Sequence, residues 1–79
     1  MEPYIIIGTR KCTYCDQAKS LLVDRYSDYT SYDLDTHPWL KTIFKMTKLK
    51  TVPQIFMGTG ELIGGYGELK LHLEGLADD

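Results

Sequence analysis

The hydrophobic period of this sequence changes abruptly after residue 8, and no other feature constrains the fold as strongly. Residues 3–8, PYIIIG, form a short β-branched run closed by a glycine, which predicts a buried strand. From Cys15 onward, apolar residues recur at three- and four-residue steps, which predicts an amphipathic helix of about three turns. The apolar face of this first helix is predicted to contain Ala18, Leu21, Leu22 and Tyr26.

The rest of the chain continues to alternate between strand and helix. Residues 29–34 are rich in Tyr and Thr and predict a second strand. Residues 35–46 predict a second helix, with Pro38 in its first turn and an apolar face of Trp39, Leu40, Ile43 and Phe44. Residues 54–57 and 61–64, separated by Gly-Thr-Gly, predict a β-hairpin. A last helix is predicted from the spacing of Leu69, Leu73 and Leu76.

This order of elements predicts an α/β domain with a four-stranded mixed sheet. The opening β-α-β unit implies two parallel strands joined by a right-handed crossover, and the hairpin adds two antiparallel strands. Three helices would then cover the sheet. Because 79 residues suffice for one small core and no more, we expect a single domain over residues 1–79.

Composition and charge argue against several functional classes. Hydrophobic residues at 43% and charged residues at 25% are ordinary for a soluble globular protein. A formal net charge of -2 gives no general reason to expect nucleic-acid binding. The longest apolar run, Tyr4–Ile7, is too short to span a membrane, and no segment resembles a secretory signal. We therefore expect a cytoplasmic protein that binds neither nucleic acid nor membrane.

The two cysteines, Cys12 and Cys15, form a Cys-x-x-Cys pair where the first strand gives way to the first helix. A loop this short constrains an unfolded chain very little, so the pair is chemical or incidental rather than a structural crosslink. The helix N-terminus favours a thiolate at Cys12, and Arg10 and Lys11 add positive charge. We expect the pKa of Cys12 to lie below about 8.5, the value for free cysteine, which makes Cys12 the nucleophile.

Cys15 lies one helical turn further along the chain and faces the sheet together with Ala18. We therefore expect it to be a buried resolving thiol, able to attack a mixed disulfide on Cys12. Two other interpretations are that both cysteines are incidental small core residues, or that they belong to a zinc site. A zinc site needs about four ligands, and the further soft donors, His37 and His72, stand in no paired motif.

Three motifs together resemble the glutaredoxin family: CTYC at 12–15, TVPQIF at 51–56 and GGYGEL at 64–69. The resemblance covers nearly the whole chain, and the short length and the lysine before the first cysteine are similar to small bacterial and phage members. It implies a thioredoxin-like fold and a cis peptide bond before Pro53. It also implies thiol-disulfide exchange with glutathione as co-substrate, and no metal.

The resemblance further implies where glutathione binds. An extended substrate backbone would pair with Val52, the γ-glutamyl end would lie at the GGYGEL loop, and Glu68 would contact its amino group. Tyr14 would lie over the site, and a cation would hold the glycyl carboxylate. The substrate-binding residues so implied are Arg10, Lys11, Tyr14, Thr51, Val52, Pro53, Gly64, Gly65, Tyr66 and Glu68.

Three positions depart from the family pattern. Thr9 stands where many members have Lys or Arg, so Arg10 or Lys11 would take over the glycyl carboxylate. Thr13 replaces a proline of many dithiol members, and Gly67 replaces Asp, Thr or Ser. The side chains that would assist the cation are Lys48, Lys50 and Gln54.

Taken together, these features predict a monomeric glutathione-dependent oxidoreductase that reduces protein disulfides and glutathione mixed disulfides. Ribonucleotide reductase is a candidate acceptor, because small redoxins of this kind often serve it. One alternative is a redoxin of the same fold that is reduced by thioredoxin reductase. Another is an iron-sulfur carrier in which Cys12 of two chains and two glutathiones hold a cluster, against which Tyr14 and Cys15 argue.

Overall fold

The computed structural model describes residues 2–47, 49 and 51–77. These residues form strands and helices in the order β1 (Tyr4–Gly8), α1 (Thr13–Asp24), β2 (Tyr29–Asp33), α2 (Pro38–Thr47), β3 (Gln54–Phe56), β4 (Leu62–Gly64) and α3 (Tyr66–Ala77). The strands lie in one sheet in the order β2-β1-β3-β4. β1 runs parallel to β2 and antiparallel to β3, and β3 runs antiparallel to β4. The predicted mixed sheet with its β-α-β opening is confirmed.

One face of the sheet packs against α1 and α3. Side chains alternate along a strand, so Ile6 of β1 and its cross-strand partner Ile55 of β3 both point to this face. They meet α1 through the predicted residues Ala18 and Leu22, and these side chains are almost completely buried. The core on this face consists of Ile6, Ala18, Leu22, Ile55, Leu69 and Leu73.

The opposite face packs against α2 through Leu40 and Phe44, which lie against Ile7 of β1. The other two residues predicted for the apolar face of α2 are exposed, Trp39 at 55% and Ile43 at 42%. The prediction was wrong for these two. Successive helical residues are about 100° apart, so the four predicted residues span a wider arc of the helix surface than the part that contacts the sheet.

α1 ends at Asp24, and Tyr26 lies beyond it. The Tyr26 N–H donates to the Val23 carbonyl oxygen at 3.0 Å and the Ser27 N–H to the Leu22 carbonyl oxygen at 2.9 Å, which are the two hydrogen bonds of a Schellman motif. Tyr26 adopts the left-handed conformation that this motif requires, with φ 56°. Its side chain is 99% exposed, so the prediction that it belongs to the apolar face of α1 was wrong.

The other boundaries differ from the predicted ones by a few residues. β2 stops at Asp33, and residues 34–36 form a turn in which the Asp33 carboxylate accepts the Asp35 N–H at 2.7 Å. α2 therefore begins only at Pro38. The hairpin strands are shorter than predicted, and α3 includes Leu69 and Leu73 as buried residues, while the side chain of Leu76 lies outside the described residues. Within the described chain, no helix combines the length and the apolar character needed to cross a membrane.

Candidate active site

Cys12 lies at the edge of the sheet where the parallel strands β1 and β2 end, and it is the N-cap residue of α1. Its backbone is extended, and its sulfur accepts the Cys15 N–H at 3.1 Å. The Cys12 carbonyl oxygen accepts the Asp16 N–H at 3.2 Å. The sulfur therefore lies where the first N–H groups of α1 point, which is the position expected to stabilise negative charge.

Cys12 and Cys15 are joined by a disulfide bond, with their Cα atoms 5.2 Å apart. Cys12 is half-buried, whereas Cys15 is only 2% exposed. The two sulfurs thus differ in access in the direction expected for an attacking and a resolving thiol. Neither the zinc interpretation nor the incidental one requires the two sulfurs to be bonded to each other.

Gly8 determines how closely Cys15 approaches the sheet. A methyl group on the Gly8 Cα would collide with the Cys15 sulfur, so α1 sits in contact with the end of β1 only because this residue has no side chain. From the sequence, Gly8 is expected only to end a strand. A glycine at a core-facing position of a buried strand is the signal that could have indicated this contact.

The Pro53 loop lies at the same edge of the sheet as Cys12. Gln54, the first residue of β3, pairs with Ile7 near the end of β1, so Pro53 lies beside the carboxyl end of β1. The Val52–Pro53 peptide bond is cis, as the resemblance implied. Thr51 is exposed, Val52 is half-buried and Pro53 is buried.

The third motif contacts the other two. A methyl group on Gly65 would lie 3.7 Å from the Pro53 carbonyl oxygen, which places the GGYGEL loop against the proline loop. The rings of Tyr14 and Tyr66 stack with their centroids 6.0 Å apart and an interplanar angle of 29°. This aromatic pair joins the CTYC segment to the start of α3, so the fold brings all three motifs to one edge.

Glu68 closes the N-terminus of α3. Its Oε1 atom accepts the Gly65 N–H at 2.9 Å, which is half of a capping box. Gly64 has φ +129°, and a Cβ at this position would lie 2.8 Å from the same oxygen. Glycine at residue 64 therefore provides both the backbone conformation and the space that the Glu68 side chain occupies. Glu68 lies at the predicted loop, with its carboxylate hydrogen-bonded to the backbone.

The basic residues beside Cys12 are exposed. The Arg10 Nε atom lies 3.8 Å from an oxygen of Asp33, a residue that no sequence motif indicated, and Lys11 is exposed. Gln54 is buried and donates from its amide nitrogen to the Thr51 carbonyl oxygen at 2.8 Å, so it holds the loop that precedes Pro53. Two further cations of the prediction, Lys48 and Lys50, lie outside the described residues.

The structure brings together most of the residues that the resemblance had indicated. Cys12 is bonded to Cys15, Tyr14 stacks on Tyr66, and the Gly65 N–H donates to Glu68. Gly65 also lies close to the Pro53 carbonyl oxygen. Over residues 2–47, 49 and 51–77, no cluster of three or more His, Cys, Asp or Glu side chains has the arrangement of a metal site.

A disulfide at the start of the first helix, beside a cis-proline loop on a sheet of this order, defines the thioredoxin-like class of proteins. The family model for Glutaredoxin matches residues 5–63 of the chain. The chain therefore belongs to the glutaredoxin family, which is a family of oxidoreductases. The disulfide between Cys12 and Cys15 is the redox-active pair of this family's chemistry.

Known relatives agree with this assignment. The chain is 36% identical over 76 residues to "Glutaredoxin-2, mitochondrial" from Homo sapiens, an alignment that covers 90% of this chain and 46% of the relative. The chain thus spans about half the length of the curated relatives it matches.

Solved structures of glutaredoxins share the fold. The solution structure of glutaredoxin from Brucella melitensis superposes with a TM-score of 0.76 at 32% identity, covering 99% of this chain and 86% of that one. The crystal structure of a buckwheat glutaredoxin-glutathione complex superposes with a TM-score of 0.75 at 27% identity, covering 92% of this chain and 70% of that one.

Proposed function

We propose that this protein is a glutathione-dependent thiol-disulfide oxidoreductase that reduces protein disulfides and glutathione mixed disulfides in the cytoplasm, acting as a monomer. The observation that carries the proposal is the asymmetry of the disulfide. Its accessible sulfur, on Cys12, lies at the N-terminus of α1, and its other sulfur, on Cys15, is buried against the sheet. The Cys12 sulfur can contact a substrate, and the Cys15 sulfur can react only after Cys12 has reacted.

The reaction follows from this asymmetry. The Cys12 thiolate attacks one sulfur of a substrate disulfide, the substrate S–S bond breaks, and the other substrate sulfur leaves with the electron pair as a thiolate. The Cys15 thiolate then attacks the Cys12 sulfur of the mixed disulfide, which releases the second substrate sulfur and forms the disulfide between Cys12 and Cys15. Two molecules of glutathione reduce this disulfide and leave as glutathione disulfide.

Several features of the site support glutathione as the reductant. The related buckwheat protein is described as a glutathione complex, and its fold matches that of this chain. The N-terminus of α3, beside Gly65 and Tyr66, offers backbone N–H groups to a carboxylate of the ligand. The exposed cations Arg10 and Lys11 are candidates for the other carboxylate, and Val52 and Pro53 offer backbone at the same edge of the sheet as Cys12.

The choice of protein substrate rests on family analogy. Disulfide-containing and glutathionylated proteins are the proposed partners, and ribonucleotide reductase is a candidate among them. The altered positions Thr9 and Gly67 keep thioredoxin reductase as an alternative source of electrons. An iron-sulfur carrier is the less favoured alternative, because Cys15 is bonded to Cys12 and the bulky Tyr14, which lies between them in the sequence, stacks on Tyr66.

A coupled assay tests the proposal. Reduction of a protein disulfide is followed with glutathione, glutathione reductase and NADPH, and separately with thioredoxin reductase and NADPH. We expect activity in the first system and loss of all activity in Cys12→Ser. Cys15→Ser is expected to lose activity on protein disulfides but to keep it on glutathione mixed disulfides. Activity only with thioredoxin reductase would favour the alternative, and inactivity in both systems would reject the oxidoreductase proposal.

A titration tests the basis of the proposal. In reduced Cys15→Ser protein, the thiolate absorbance of Cys12 is measured against pH, and we expect half-ionisation below about 8.5, the value for free cysteine. Unfolded protein in denaturant is the matched reference. Equal titration of the folded and unfolded protein would show that the helix N-terminus does not activate this sulfur.

A further inference from the structure

A polar groove of about 230 Å³ opens beside Cys15, on the side of α1 that faces β2. Cys15 and Lys19 line it from α1, while Ser31 and Asp33 line it from β2. This groove differs from the cleft at the proline loop, because Cys12 and the loop residues 51–53 and 64–66 do not line it. The buried sulfur therefore adjoins a polar space other than that cleft, and Arg10 is the one proposed substrate-binding residue that lines it.

The register of the sheet places Asp33 next to the Cys15 sulfur. Gly8 of β1 and Asp33 of β2 are directly paired in the parallel ladder, so both project toward the same face of the sheet. The Cys15 sulfur occupies the space above Gly8 that a side chain would fill. Since adjacent strands are about 4.8 Å apart, the side chain of Asp33 rises beside this sulfur at roughly one strand spacing.

Cys15 needs a proton acceptor for its part in the reaction. A thiol becomes a nucleophile only after it loses its proton, and burial raises the pKa of a thiol by disfavouring the thiolate. The Cys15 N–H, in the first turn of α1, donates to the Cys12 sulfur, so the helix N-terminus stabilises the other cysteine. Cys15 is nearly inaccessible to bulk solvent, which leaves the groove as the adjoining polar space that can receive its proton.

We propose that the Asp33 carboxylate accepts the proton of the Cys15 thiol, through water in the groove, when Cys15 resolves the mixed disulfide on Cys12. A space of this volume admits water, and a bridging water transfers a proton between groups too far apart for direct contact. The inference rests on the proposed function, since it assigns a residue to the second step of that reaction.

Asp33 is held in place for this role. One carboxylate oxygen accepts the Asp35 N–H at 2.7 Å, and the other lies 3.8 Å from the Arg10 Nε atom. The Asp33 side chain is 28% exposed, so it is accessible to water from the groove but partly withdrawn from bulk solvent. These two contacts restrict the rotation of the carboxylate, and Asp33 lines the same groove as Cys15.

The other charged and titratable groups of the groove are less suited to this role. They come from the loop after β1, from α1, from β2 and from the turn before α2: Arg10, Asp16, Lys19, Tyr32 and His37. The two cations do not accept protons. Asp16 is an exposed residue, whereas His37 has its Nδ1 atom 3.1 Å from the Asp33 carbonyl oxygen and 3.0 Å from Thr36 Oγ1. β1 contributes no titratable side chain to the groove.

The resolving step moves one proton from Cys15 and exchanges one S–S bond for another. The Cys15 S–H bond breaks and its proton passes through water to the Asp33 carboxylate, while the sulfur keeps the electron pair. This sulfur attacks the Cys12 sulfur, the intramolecular S–S bond forms, and the bond from Cys12 to glutathione breaks. The released glutathione thiolate takes a proton from solvent, and Asp33 returns its proton to solvent. The two cysteines are oxidised, and glutathione disulfide, the oxidant, is reduced.

A single-turnover experiment isolates this step. Reduced protein is mixed with glutathione disulfide and quenched with acid, and intact mass distinguishes reduced protein, the glutathione adduct on Cys12 and the oxidised pair. The test variant is Asp33→Asn, which keeps a side-chain oxygen for the Asp35 N–H but removes the proton acceptor. The matched control is Asp35→Asn, which removes the same charge from an exposed residue that does not line the groove.

In Asp33→Asn we expect the adduct to form at the wild-type rate and to resolve at least about tenfold more slowly at pH 7, because general-base catalysis is typically worth this much or more. We expect Asp35→Asn to behave as wild type. The difference between Asp33→Asn and wild type should shrink as pH is raised, because hydroxide then removes the Cys15 proton in both proteins.

Several outcomes would overturn the inference. Resolution in Asp33→Asn at the wild-type rate would show that the carboxylate is not needed. A slowdown of constant size at every pH would indicate a structural role for Asp33. Slow resolution in His37→Gln with normal Asp33→Asn would transfer the role to His37. Absence of both the glutathione adduct and the oxidised pair in all proteins would instead reject the proposed function, and the inference with it.

Discussion

The two faces of the sheet are packed very differently. On the face covered by α1 and α3, side chains such as Leu22 and Ile55 are completely buried, and they form one continuous cluster. On the other face, α2 buries Leu40 and Phe44 but leaves a row of apolar side chains in solvent, among them Met46 at 78% exposure. The disulfide belongs to the closely packed face, where its buried sulfur touches β1. The comparison indicates that the geometry of the redox pair depends on the α1 face and much less on α2.

The largest expected effect is a difference in stability between a truncation on the α1 face and a truncation on the α2 face. Leu22→Ala removes side-chain atoms from the centre of the α1 face and is expected to lower the free energy of unfolding by about 2–5 kcal/mol. Met46→Ala, an exposed truncation on α2, is expected to change it by less than about 0.5 kcal/mol. Urea unfolding of both oxidised variants measures the difference. Similar losses for the two variants would show that the exposed row on α2 is packed in solution.

A smaller effect is expected where α1 meets β1. Gly8→Ala places a methyl group against the Cys15 sulfur and is expected to lower the free energy of unfolding by about 1–3 kcal/mol, the usual effect of overpacking. Formation of the disulfide should also slow, because the sulfur must move. Gly75→Ala is the matched control: it meets open space in α3 and is expected to be stabilising by up to about 1 kcal/mol. Unfolding and thiol-oxidation rates check both variants, and a harmless Gly8→Ala would contradict the close contact.

The smallest effect is expected at the end of α1, where the close packing stops. Tyr26 is fully exposed in a left-handed backbone conformation that glycine adopts without steric cost. Tyr26→Gly is therefore expected to raise the free energy of unfolding by at most about 1 kcal/mol. Chemical denaturation at equal protein concentration measures the change. Destabilisation would mean that the tyrosine ring has a packing partner in solution, and that the well-packed region extends beyond Asp24.

The parts of the fold that follow from local pattern could be predicted from the sequence. The β-branched run at residues 4–7, the glycines of the hairpin and the leucine spacing of α3 each act within a few residues, so their signals are visible in the chain. Tyr26 and Trp39 were misplaced for different reasons. The end of α1 is decided by backbone hydrogen bonds, and the exposed side of α2 by how much surface the sheet offers.

The residues of the candidate site divide in the same way, into those indicated by a local signal and those whose position depends on contacts between distant segments. The cysteines could be predicted because their spacing and the helix signal beside them are local. The convergence of Tyr14 with Tyr66, and of Gly65 with Pro53, depends on contacts between distant segments and entered only through the resemblance to a family. Asp33 was missed because its place next to Cys15 depends on the register between β1 and β2, which the sequence does not reveal.

Because the Cys15 amide is hydrogen-bonded to the Cys12 sulfur, this backbone N–H can report the chemical state of that sulfur. Whenever that sulfur exchanges its bonding partner, the electron density facing this amide changes. The NMR resonance of the residue 15 amide should therefore take a separate position for thiolate, adduct and disulfide. Turnover could then be followed by spectroscopy at a single backbone position, without any added label on the sulfur itself.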